Sequence, residues 1–161
     1  MHELTKPTPS RRPDLHIATE GEFKGWRTWI RDSFESHIGP FWHRIEDGGS
    51  VRSAFRVEKK HLNGAGNVHG GCFMAFADYC LFAIATQELD GPAVTTNFSC
   101  DFLDAAREGD LIECAGEVME RLGGVPQDRV GQVVVGEVAE DRVLGHGGLL
   151  RVVRGELDGL R

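Results

Sequence analysis

A run of fifteen residues, Cys72 to Thr86, constrains this chain more than any other feature. It is rich in Ala, Phe, Leu and Met, contains neither Pro nor Gly, and carries a single charge, Asp78. A run of that length and composition reads as a helix rather than a strand. Its apolar residues fall on every side, so other structure should wrap it instead of leaving it on a surface. It is shorter than the roughly 20 residues that cross a bilayer, and it is charged at its centre. The expectation is a core helix.

Asp78 is then anomalous, because an ionised carboxylate in a dry core needs a partner, hydrogen bonds or a raised pKa. Two further features sit beside it. Gly70 and Gly71 fall where the helix should begin, and their missing side chains let a ligand approach the backbone. A helix N-terminus also offers unpaired N–H groups with partial positive charge, a seat for a carbonyl oxygen that becomes negative during a reaction. Upstream, Asn63 and His69 lie in a polar, glycine-rich approach from His61 to Gly71. Each has an ordinary explanation: a helical Asp is usually solvated, His-Gly-Gly is a common turn, and Asn tolerates unusual turn angles. The conjunction carries more than any member.

At these residues the chain resembles the hot-dog-fold acyl-CoA thioesterases of the phenylacetate-pathway (PaaI-like) type. The matching pattern is His61, Asn63, Gly66, Val68-His69-Gly70-Gly71 and the helical Asp78, and the resemblance extends from about Trp26 onward. It implies an α+β hot-dog fold, an antiparallel β-sheet wrapped around a long central helix. It also implies a homodimer, in some relatives a tetramer, with each active site built from two subunits. By the same resemblance the substrate is an acyl-CoA and coenzyme A is part of it, so no separate cofactor is expected. The Gly70 N–H would polarise the thioester carbonyl, and Asp78 would act as general base or nucleophile. Asn63 would orient water or the thioester group. His69 would shape the loop or donate to the substrate. Thr95, early in the strand after the helix, would assist the carboxylate. Gly71, Lys60 and Arg107 are the expected substrate-binding residues, the two cations toward the coenzyme A phosphates.

One geometric point bears on the dimer. Asp78 lies eight residues beyond Gly70, roughly 12 Å along one helix at 1.5 Å per residue. Both cannot touch one small reacting group within a single subunit. The antiparallel helix of a second copy removes the difficulty.

Composition sets the remaining bounds. With 161 residues the chain suits one domain with an ordinary core. A net charge of −7 argues against a general binder of nucleic acid or anionic membrane. The N-terminal sixteen residues are polar and lack the apolar segment of a secretory signal. The four cysteines (Cys72, Cys80, Cys100 and Cys114) form no CxxC pair and sit in apolar patterns. A cytoplasmic protein without structural disulfides is expected. His69 and Cys72 have the spacing of half a zinc site, and no second pair completes it, so no metal is expected.

Along the chain, residues 1–20, with three prolines, read as a loose arm ahead of a single domain over 21–161. Phe23, Trp26, Ile30, Phe34 and Ile38 recur at helical spacing and predict an amphipathic N-terminal helix ended by Gly39-Pro40. Two strands, 41–45 and 51–58, follow, joined by a hairpin turn at Glu46-Asp47-Gly48-Gly49. After the central helix, strands are expected over 94–102, 111–120, 130–138 and 143–153. Phe41, Trp42 and Phe73 suit either a substrate pocket or the core.

Two other readings compete. A hot-dog hydratase would carry an Asp-x-Asn-Pro-x-His stretch, which is absent here. A non-catalytic acyl-CoA-binding module would not need both Asn63 and Asp78.

Overall fold

The computed structural model describes residues 15–30, 33–86, 94–95, 100–102, 104–118, 133–134 and 151–153. Its organising pair is a hairpin and the strand laid beside it. Strands β3 (Trp42–Ile45) and β4 (Val51–Arg56) are joined by the expected turn, where Gly48 and Gly49 adopt φ of 92° and 91°. Both values lie in the left-handed region that glycine enters without steric cost. Strand β5 (Leu111–Val118) pairs antiparallel with β4 over its whole length, from Val51↔Gly116 to Arg56↔Leu111.

This register sorts the side chains onto two faces, as the period of two requires. Val51, Ser53, Phe55, Ile112 and Cys114 are buried on the inner face. Against them lies the long helix α2 (Gly70–Ala85), which buries Phe73, Phe76, Ala77, Tyr79, Cys80 and Ile84. Phe41, Phe55 and Phe76 meet with ring centroids 4.8–5.2 Å apart, in tilted and edge-on arrangements. Such pairs add about 0.5–1.5 kcal/mol each beyond their buried area. Phe41 and Phe73 are therefore core residues. An antiparallel sheet packed on one long apolar helix is the hot-dog arrangement that the resemblance implies.

Among the described residues the wrapping of α2 is incomplete. Gly71 and Met74 are exposed, and Asp78, Leu81 and Phe82 are partly exposed. These positions fall at helical spacing and form one uncovered stripe. Asp78 is thus half-buried on that stripe instead of enclosed in the core.

The N-terminal region departs from expectation. No helix runs from residue 23 to residue 38; only α1 (Phe34–Ile38) is helical, and none of its residues is buried. Ahead of it, β1 (Leu15–Ile17) and β2 (Arg27–Trp29) pair antiparallel, and β2 adds to β3 through Arg27↔His43. Leu15–Ile17 thus form sheet where an arm was expected. Gly25 explains the broken helix: at φ 86° it cannot continue a right-handed helix, and with Gly21 at φ 77° it closes a turn between the strands. The aromatic repeat is real, but it serves a second small core on the outer face of the sheet. There Trp26, Ala54 and Leu111 are buried, with Phe23 and Trp42 packed against them. Of the other members of the repeat, Ile30 and Phe34 stay exposed at 55% and 67%, and Ile38 packs partly buried against the main core.

After α2, residues 94–95 and 100–102 of the first expected strand are described, with an isolated bridge at Cys100, and its centre lies outside the described residues. Val94 and Phe102 are exposed. The turn at 107–110 is as expected, with Gly109 at φ 89°. Strands β6 (Val133–Val134) and β7 (Arg151–Val153) both pair with β5 and fall within the last two expected strands. The remainder of those strands and the loop at 123–126 lie outside the described residues.

Candidate active site

The first turn of α2 is capped by the residue that precedes it. His69 has extended backbone angles, and its Nδ1 accepts the Gly71 N–H at 2.9 Å. Its carbonyl oxygen accepts the Cys72 N–H at 2.8 Å and the Phe73 N–H at 3.4 Å. The Phe73 bond is the first regular helical one; with the His69 N–H donating to His61 O at 2.8 Å, three of the four amides that a helix start leaves open (His69, Gly71 and Cys72) are satisfied. The Gly70 N–H has no acceptor among the described residues.

The two glycines serve different ends. A Cβ on Gly71 would sit 3.1 Å from His69 Nδ1, so the missing side chain admits the capping ring. A Cβ on Gly70 would make only ordinary contact, 3.4 Å from the Phe102 ring. Glycine in a helix costs about 1 kcal/mol against alanine. Nothing among the described residues requires it at position 70.

The approach loop is self-organised. Asn63 Oδ1 accepts the Ala65 N–H at 2.9 Å and the Asn67 N–H at 3.2 Å, while its backbone N–H donates to Asn67 O at 2.7 Å. A Leu62↔Val68 bridge closes the loop. Asn63 therefore holds the loop through its oxygen and retains an amide group that can donate elsewhere. His61 is structural. It is buried; its Nδ1 accepts the Glu58 N–H at 2.8 Å, so Nε2 bears the proton and donates to Ile38 O at 2.7 Å. Burial holds its pKa below the usual value, and the neighbouring Lys60 charge acts in the same direction.

Two helical turns on, Thr95 Oγ1 donates to Asp78 Oδ1 at 2.5 Å. The structure thus brings Thr95 and Asp78 together. It holds Gly70, Gly71, His69 and Asn63 as a second group at the helix start. Within one chain the two groups are separated by the eight-residue span of helix already noted.

The cations lie toward the helix start. Lys60 contacts the carbonyl of Gly39 and pairs with Glu58 at 3.4 Å. Its charge also acts on Cys72 in the first turn of α2. Arg107 is exposed and follows Ala106, whose carbonyl accepts the Val68 N–H at 2.8 Å. Cys72 itself is no nucleophile: burial raises its thiol to about 11, with Lys60 opposing weakly.

A buried polar cluster, which the sequence reading missed, sits behind the site. His43 Nδ1 and the Tyr79 hydroxyl are 2.7 Å apart, and the Thr28 side chain also bonds the phenol. Burial raises the phenol's pKa and lowers that of His43 to about 4, so both groups are neutral. Arg27, opposite His43 in the sheet, adds to the fall. This cluster ties β2 and β3 to α2 at the residue next to Asp78. The one sequence signal was polar His43 between apolar Phe41 and Ile45, which share its parity in the strand.

Among the described residues, no helix is long and apolar enough to cross a membrane.

Comparison with known proteins bears out the resemblance. Residues 65–123 match the family model of the Thioesterase superfamily. The chain is 36% identical over 88 residues to "Putative esterase PA0474" of Pseudomonas aeruginosa, a match covering 53% of this chain and 65% of that protein. Among solved structures it is similar to a hypothetical thioesterase protein with coenzyme A from Streptococcus pneumoniae TIGR4. That match has 26% identity and a TM-score of 0.45, over 51% of this chain and 63% of the other. It is also similar to zebra fish thioesterase superfamily member 2, with 19% identity and a TM-score of 0.45, over 56% and 67% of the two chains. The chain thus spans just under two thirds of the length of the curated relative and of the first of these structures.

Proposed function

We propose that this chain hydrolyses an acyl-CoA thioester to a free acid and coenzyme A, in a site assembled from two copies. The observation that carries this reading is the Thr95–Asp78 hydrogen bond on the uncovered stripe of α2. A carboxylate fixed by a neighbouring hydroxyl, on a face that the described residues leave open, suits a partner's site.

The thioester carbonyl would bind the open Gly70 N–H of one copy, where developing negative charge meets the positive end of the helix. Asp78 of the second copy would take a proton from water as the water oxygen attacks the carbonyl carbon, or would itself attack and expel the thiolate, leaving an acyl anhydride on Asp78 that a water then hydrolyses to the free acid and the restored carboxylate. Thr95 keeps the carboxylate oriented. Collapse of the tetrahedral intermediate breaks the C–S bond and releases the coenzyme A thiolate, a good leaving group that takes up a proton from solvent. The Asn63 amide donor would hold the water or the thioester group. His69, with Nδ1 engaged by Gly71, offers its Nε2 proton to substrate sulfur or oxygen. Gly71 admits that ring, and Lys60 and Arg107 would supply countercharge to the phosphates of coenzyme A.

The test is release of free thiol from a panel of acyl-CoAs by the parent and by Asp78→Asn, with sizing of both proteins. The expected result is turnover by a dimer or larger assembly, and a fall of about 10²- to 10⁴-fold in the variant, the usual worth of a positioned acid–base group. A variant as fast as the parent would remove Asp78 from the mechanism. A strictly monomeric active protein would remove the shared site.

A further inference from the structure

Phe102 is an exposed aromatic beside the open amide. It is 58% exposed, whereas Phe41, Phe55, Phe73 and Phe76 are all buried. The outer edge of its ring points at Gly70: Cζ lies 3.4 Å, Cε1 3.5 Å and Cε2 4.0 Å from where a Cβ on Gly70 would stand. Its ring centroid is 6.4 Å from that of Phe73. Gly70 and Phe73 are three residues apart and so share one helix face. The ring therefore lies along the side of the first helical turn, with its apolar surface uncovered next to the only amide of that turn left without an acceptor among the described residues.

We propose that Phe102 is a specificity-determining residue, the wall against which the acyl carbons next to the thioester carbonyl rest when its oxygen is bound at Gly70. This rests on the thioesterase reading and deepens it. A carbonyl oxygen held by the Gly70 N–H brings its carbon substituents within reach of the ring. An apolar acyl group of several carbons removes ring surface from water there, and an acetyl group covers little of it. The favoured substrates are medium-chain alkyl or aryl acyl thioesters, and acetyl-CoA is disfavoured.

Kinetic and binding measurements on the parent, Phe102→Ala and Phe102→Leu test this. With acetyl-, hexanoyl- and phenylacetyl-CoA, the parent should favour the two larger substrates in kcat/KM. Phe102→Ala should erase about tenfold of that preference, on the scale by which a hydrophobic pocket discriminates small changes in shape. Phe102→Leu should retain part of it for hexanoyl. A purely structural role would lower all three substrates alike and would lower the melting temperature. An unchanged preference in Phe102→Ala overturns the proposal.

Calorimetric binding of S-hexyl- and S-methyl-coenzyme A, which are thioethers and cannot be hydrolysed, separates the two readings. If no thioester is cleaved, yet the parent binds the hexyl form more tightly and Phe102→Ala does not, the hydrolase reading fails and the wall stands. If thioesters are cleaved with Phe102 making no difference to preference in either measurement, the wall fails and the hydrolase reading stands. A parent that neither cleaves thioesters nor binds either thioether overturns both.

Discussion

Thr95 Oγ1 meets Asp78 Oδ1 at 2.5 Å, joining two residues that lie 17 apart in the chain. The bond fixes one carboxylate oxygen and leaves the other to act. Thr95→Ala should lower kcat by about 10- to 100-fold, the worth of a hydrogen bond to a charged group expressed as a rate. Thr95→Ser, which keeps the hydroxyl, should recover most of the loss. KM should change little in both, which steady-state kinetics on one acyl-CoA will show.

Gly70→Ala separates stability from activity. The new methyl makes ordinary contact with Phe102, and alanine is the better helix former by about 1 kcal/mol. The variant should melt at the same temperature as the parent or slightly higher, while turnover falls because the methyl crowds the approach to the open amide. Equal turnover with raised stability would mean that no substrate comes near this backbone.

His61→Gln should do the reverse. The imidazole joins the Glu58 N–H and the Ile38 carbonyl inside the protein, and it touches neither Asp78 nor the Gly70 amide. Loss of that pair of bonds should cost about 1–3 kcal/mol in urea unfolding. Activity per folded molecule should stay within a few-fold of the parent, a margin set by ordinary scatter among structural variants.

His43 predicts a pH dependence. Its folded pKa is about 4 against an ordinary value of 6.5. The unfolded chain therefore binds a proton between these values that the folded chain refuses. The stability it contributes is whole above pH 6.5, falls as pH drops below that, and is lost once pH passes through about 4. The drop amounts to about 3 kcal/mol at most. Thermal melts at intervals from pH 7 to 4.5 should show a shallower decline in His43→Gln than in the parent. Carboxylates contribute equally to both proteins, so the difference between the curves isolates the imidazole.

The central helix, the hairpin turn and β5 were legible because each is announced locally. An unbroken apolar run, a Glu-Asp-Gly-Gly turn and strict alternation all report their own conformation. The start of α2 at Gly70 was legible for the same reason. The N-terminal strands were not, because Phe23, Trp26, Ile30, Phe34 and Ile38 mimic a helical repeat. Only the φ of Gly25 shows that the repeat is interrupted. His61 carried a position in the family pattern, yet its two buried bonds make it a brace, a role that no spacing reveals. Phe102 fell within the strand expected over 94–102. Its exposure depends on tertiary packing that alternation alone does not report.

His69 leaves the positive pole of α2 with a valence of one. It takes the Gly71 amide on its ring and the Cys72 and Phe73 amides on its carbonyl. A tetrahedral anion such as phosphate or sulfate is normally gripped at a helix start by several amides at once. Among the described residues it would find a single donor here, so simple oxyanions of buffer should compete poorly for the spot. On the proposed function, the cap that steadies the helix would also act as a filter, passing a ligand that presents one oxygen and turning away those that present three.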